Sequence, residues 1–224
     1  MPTLPLSRNV WLLSLSHVFS FSGASVTFFL GGIIGALIAP SIGWATFPVA
    51  AMVVGTALGT IPAAVLMSKK GRKFGFISAA TAAAIASLVG AVAIWYSLFW
   101  LYCIATVGLG MSYAFVQHYR FAAAESVAIE IAPQAISAIL LSGIAGAFLG
   151  PNVVNYARDW VPLHTFVGSY IALALMVFAR AIILLWMQPP AKTMEVGKVQ
   201  GRTIRQLAQQ PDFVLAVFAA TVSY

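Results

Sequence analysis

Between residues 74 and 119 the chain carries no Lys, Arg, Asp or Glu. A helix crosses a bilayer with about 20 apolar residues, so this stretch is too long for one crossing. It must cross, turn and cross back. Trp95, Tyr96 and Trp100 lie near its middle, and such rings favour the membrane–water interface. The pattern predicts spans at 74–94 and 98–116 with a tight turn at Tyr96-Ser97, although no Gly or Pro marks it.

The same logic organises the remaining sequence. Apolar runs predict further spans at 10–38, 45–67, 136–154 and 166–187. The first is long for a bilayer and is expected to tilt or protrude. Pro40 and Gly43 break it, and Pro189 and Pro190 end the sixth. Residues 118–133 form a loop with Arg120, Glu125 and Glu130, whose Ala-rich middle is compatible with a short helix. Residues 191–210 are the only long polar stretch, and 203–210 has the pattern of an amphipathic surface helix. Pro211 restarts an apolar run, and residues 213–224 are too few to span. The expectation is an all-α, polytopic membrane helix bundle: a six-helix domain at 1–190, a central loop at 191–211 and the start of a seventh helix at 212–224.

Composition agrees. The chain is 61% hydrophobic and 8% charged, against about 25% charged in soluble domains. Its net charge of +7 does not signal nucleic acid, because the cations sit at the ends of apolar runs, where they set topology. The single cysteine, Cys103, excludes an internal disulfide framework and any CxxC motif. Only Arg8 precedes the first run, which is too long for a signal-peptide core. By parity Arg8, the basic stretch 68–73, Arg120 and the cations of 192–205 share one face, and only Arg158 lies in a loop on the other. The positive-inside rule makes the shared face, and the N-terminus, cytoplasmic. Arg180 falls inside span six, about two turns from its cytoplasmic end, and is expected to snorkel there.

The turn between spans two and three concentrates four of the twelve Lys and Arg residues: Ser68-Lys69-Lys70-Gly71-Arg72-Lys73. It is a topological anchor, and Gly71 suits a tight turn that needs positive φ. The stretch from Ala64 to Lys73 also resembles the signature loop of the major facilitator superfamily: a Gly, three residues, an Asp, a basic residue, any residue, then Gly-Arg-basic. Lys69, Gly71, Arg72 and Lys73 match, while Ala64 replaces the Gly and Ser68 the Asp. In that family the acidic residue helps lock two halves together. A serine still caps a helix N-terminus but carries no charge. On span five, Gly146-Ala-Phe-Leu-Gly150-Pro151 is similar to the core of the antiporter signature of the same superfamily. Ser142, Gly146 and Gly150 form a smooth ridge for close packing, and Pro151 can bend the helix. Gly55 and Gly59 on span two suggest packing in the same way.

Four residues are candidates for a solute cavity: His17, Phe21, Tyr113 and Gln117. Thr106, Gly110, Tyr113, Gln117 and Arg120 fall at i, i+4, i+7, i+11 and i+14 and so share one helical face, and a polar stripe there faces a cavity or partner. Arg120 is a candidate cytoplasmic anchor, expected to pair with Glu125 or to bind carbonyls near the basic turn. On span one, Ser16, Ser20, Gly23 and Thr27 line one face suited to packing. His17 is the only ionisable side chain well inside the first five spans. It reads either as a proton carrier or as a neutral hydrogen-bonded structural residue. No metal-binding, nucleotide or hydrolase motif is present. The one enzyme-like pair is Ser14 and His17, three residues apart.

The resemblance implies a secondary permease of a small organic solute, without cofactor but with the proton as coupling ion, export favoured slightly by Gly150-Pro151, in a bacterial cytoplasmic membrane. Members of that superfamily have two six-helix halves, so the expected partners are lipid, solute, and either a C-terminal half or a second copy of the chain. The alternatives are a half-sized protein acting as a dimer or as a non-transporting partner, and an inactive truncation.

Overall fold

The computed structural model describes residues 6–188, together with Gln210 and Leu215. Apart from those two positions, the expected surface helix and the start of a seventh helix lie outside the described residues. The bundle belongs to the unit Met1–Pro190.

Among the described residues the elements are α1 (Arg8–Ile38), a 3-10 turn (Ile42–Trp44), α2 (Phe47–Lys70), α3 (Arg72–Trp95), α4 (Phe99–Val116), the short α5 (Tyr119–Ala124), a second 3-10 turn (Ile129–Ile131), α6 (Ala132–Ala157) and α7 (Val167–Leu185). Six helical segments are long and apolar enough to cross a membrane. The chain is thus an all-α, polytopic membrane helix bundle.

The breaks follow local chemistry. A residue before proline is forced out of the helical region, and Ala39, ahead of Pro40, is extended (φ −68°, ψ 147°). The turn anticipated at Tyr96-Ser97 is present. Ser97 adopts φ 53° in place of a glycine, and the Leu98 N–H donates to the Ala93 carbonyl at 2.8 Å. The Ala-rich loop forms α5, which ends at Ala124.

The helix pairing has internal symmetry. The long helices form two triplets, α1–α2–α3 and α4–α6–α7. The main pairings are α2 with α4, α1 with α6, α3 with α7, α3 with α4, and α1 with α7. Exchanging α1 with α4, α2 with α6 and α3 with α7 turns the first pairing into the second and the fourth into the fifth. It leaves α3·α7 unchanged. Successive spans alternate in direction, so the second triplet runs opposite to the first. This is the relation of an inverted repeat.

Glycines make the two exchanged crossings possible. Without a hydrophobic driving force between helices in lipid, close backbone approach provides the attraction. On α2, a Cβ at Gly59 would lie 2.6 Å from the Met111 carbonyl oxygen of α4, and one at Gly55 would strike Val107. In return, Gly110 of α4 sits against Met52 and Thr56 of α2. On α6, a Cβ at Gly146 would lie 2.6 Å from the Val18 carbonyl oxygen of α1, and one at Gly150 would lie 2.8 Å from that of Ser22. Both ridges read in the sequence are therefore packing surfaces. Cys103 is buried in the bundle.

Candidate functional site

The basic turn is built on Gly71, the only residue between α2 and α3. It has φ 84° and ψ 160°, a region essentially restricted to glycine. Nothing lies within 4 Å of a Cβ placed there, so the requirement is conformational, not steric. Lys69 and Lys70 occupy the last turn of α2, where cations complement the helix dipole. Lys70 lies 4.8 Å from the centre of the Phe74 ring. Ser68 caps nothing. It lies within α2, and its hydroxyl donates to the Val65 carbonyl at 2.9 Å.

The cations that follow the turn form a clasp. Arg72 grips Glu125 with two N–H groups, the Nε to Oε2 bond being 2.7 Å. Such bidentate pairing fixes geometry as well as charge. Lys73 Nζ donates to the Leu185 carbonyl at 2.6 Å. Asn9 and Gln188 exchange two more hydrogen bonds, Asn9 Nδ2 to the Gln188 carbonyl at 2.9 Å and the Gln188 N–H to Asn9 Oδ1 at 3.0 Å. The start of α1, the α2–α3 turn, the end of α5 and the end of α7 therefore meet at one end of the bundle, as parity requires. Glu125 is not the partner of Arg120. Arg120 is exposed and lies over the Phe121 ring, 5.1 Å from its centre.

The cavity candidates divide. On α1, His17 and Phe21 lie together with ring centres 5.8 Å apart, and the His17 ring meets Tyr119 at 6.3 Å. His17 Nδ1 is 3.0 Å from Ser142 Oγ on α6. Ser142 donates its own proton to the Ile139 carbonyl at 2.6 Å, so it accepts from Nδ1–H. Ser14 does not join this network; its buried hydroxyl has no partner among the described residues. On α4 the anticipated polar stripe is broken. Thr106 is buried and donates to the Cys103 carbonyl at 2.8 Å, and Gly110 is a packing residue. Tyr113 lines a cavity between the helices. α4 stops at Val116, leaving Gln117 and Arg120 exposed beyond it. Gln117 is thus not among the residues lining the Tyr113 cavity. Pro151 is accommodated within a continuous α6. Gly150 and the Ser22–Gly146 bond, at 3.0 Å, hold that region against α1.

Arg180 departs most from expectation. It does not snorkel. Its side chain is buried, with Nη1 donating to Ser20 on α1 at 2.8 Å and Nη2 to Ser112 on α4 at 3.3 Å. The anticipated Ser16–Ser20–Gly23–Thr27 face is buried as well, and Ser20 is what draws the guanidinium inward. A serine on that face was the available sequence signal. The Asn9–Gln188 bonds had none, because their partners are 179 positions apart.

No family model and no solved structure matches the chain. It is 29% identical over 219 residues to the riboflavin transporter RfnT of Brucella anthropi, an alignment covering 97% of this chain and 55% of that one. The chain thus spans about half the length of this curated relative. An alignment of that length spans all six long helices.

Proposed function

We propose that this chain forms one half of a secondary permease of major facilitator type that moves a small organic solute across a membrane. The observation that carries the reading is the similarity, over nearly the whole chain, to a protein named as a riboflavin transporter. The inverted-repeat pairing of the helices supports it, since substrate sites of such transporters lie at repeat interfaces. Riboflavin is the first solute to test. The basic end faces the cytoplasm, and the working direction is export. His17 is the candidate proton carrier, being an ionisable side chain bonded across the α1·α6 crossing. Phe21 beside it and Tyr113 on α4 are the candidate solute contacts. The clasp at Arg72 and Lys73 fixes the cytoplasmic end against which a second half would close.

The decisive experiment uses proteoliposomes containing this chain with a complementary six-helix half. Riboflavin and a panel of small organic solutes are offered with an imposed pH gradient. Flux that follows the gradient, and loses that dependence in His17→Ala, is expected. No flux of any solute from folded protein would sink the reading, and flux indifferent to the gradient would remove the proton.

A second reading is a half-sized protein that dimerises or partners an intact permease. One observation favours it as much as the first. In α2 and α6, 28% and 22% of the most apolar stretch is buried, against 50–61% in the other four spans. Their exposed faces, with Ile61 on α2 and Phe148 on α6, suit a second copy as well as a second half. Crosslinking in native membranes separates the two, because a strictly monomeric chain excludes the dimer.

A further inference from the structure

Arg180 sits where α1, α4 and α7 meet, at 3% exposure. A guanidinium has five N–H donors and no acceptor, and in a membrane interior each must be satisfied. Ser20 and Ser112 accept from its two Nη atoms. The Nε–H is buried without a partner among the described residues. Among the described residues the ion pairs are Arg72–Glu125 and Arg158–Asp159, so no carboxylate reaches Arg180. Beside it lies a cavity of about 20 Å³, lined by Ser20, Thr27, Met52, Ser112, Tyr113 and Arg180 among others.

The lining decides what the cavity can hold. About 10–15 Å³ is enough for one water. A halide of similar size would need donors around it. Three hydroxyl protons of the lining are already committed: Ser20 donates to the Ser16 carbonyl at 2.8 Å, Thr27 to that of Gly23 at 2.9 Å, and Ser112 to that of Ala79 at 2.7 Å. These three hydroxyls have no proton left to offer an anion. Water can both accept from Nε–H and donate to a hydroxyl oxygen. We propose that this cavity is a binding site for one ordered water, which accepts from the Arg180 Nε–H and so joins α1, α4 and α7 without a counter-ion. Tyr113 is shared with the proposed solute contacts, but the water binds whether or not the chain moves solute.

Radiolytic hydroxyl-radical labelling of the intact chain in lipid nanodiscs tests it, because radicals form at bound internal water. Met52 lines the cavity and is 2% exposed; Met187 is 1% exposed and does not line it. Met52 is expected to be oxidised several-fold faster than Met187. Equal, slow rates would mean a dry cavity and overturn the proposal. In Arg180→Met the Met52 rate is expected to fall to that of Met187; undiminished labelling in a folded variant would also overturn it. The wild-type comparison does not depend on the variant folding. Exchanging chloride for gluconate, which is too large to enter, is expected to leave the thermal midpoint unchanged. A chloride-dependent midpoint would place an anion there and refute the water.

Discussion

The α2·α4 and α1·α6 crossings are equivalents under the exchange of triplets, yet they are made differently. At α2·α4 both helices contribute glycines, and backbone lies on backbone from each side. At α1·α6 only α6 supplies the ridge. α1 answers with side chains, Ser22 to the Gly146 carbonyl and His17 to Ser142. The first crossing achieves adhesion chiefly by close packing. The polar bonds of the second are therefore more than adhesion requires, which makes them the better place to look for function.

The comparison can be broken at three points. The largest effect is expected for Gly110→Ala. The new methyl would meet Met52 and Thr56 backbone atoms, which cannot rotate away, so the loss belongs at the upper end of the roughly 1–3 kcal/mol typical of overpacking. Reversible unfolding in mixed micelles measures it. Gly146→Ala comes next. Its methyl meets the Val18 carbonyl oxygen at 2.6 Å but otherwise the Phe21 Cβ and the Ser22 N, and a loss in the lower half of that roughly 1–3 kcal/mol range is expected. A larger loss than for Gly110→Ala would reverse the ranking of the two crossings. The smallest effect is expected for Ser142→Ala. Hydrogen bonds between membrane helices contribute about 0.6 kcal/mol on average, so the melting midpoint should barely move. If this variant were as destabilising as the glycine changes, the His17–Ser142 bond would be structural and the contrast would fail.

The spans were legible because lipid leaves no alternative: an uncharged run as long as 74–119 must cross and return. The turn at Tyr96-Ser97 was legible from its aromatic flanks even though a serine takes the left-handed position. Gly71 was legible because its conformation is a local demand. The glycine ridges were visible as spacing, but their partner helices were not, since pairing is decided in three dimensions. Charge partners failed for the same reason. Arg120 is five residues from Glu125, yet Arg72 wins from 53 positions away. A polar face through Arg120 needs one unbroken helix, but α4 stops at Val116 and the next helix starts at Tyr119, which turns the later residues off the stripe. Arg180 lay within reach of the surface. Hydroxyls on two other helices drew it inward, and a reading of α7 alone could not weigh them.

One residue between α2 and α3 leaves no slack. With Gly71 as the whole link, α2 can swivel against α3 but cannot slide along it. Any displacement of the end of α2 must arrive at Arg72 and Lys73, whose grips on Glu125 and Leu185 pass it to the ends of α5 and α7. The turn is thus a short lever arm: rocking of one helix becomes a pull on two others.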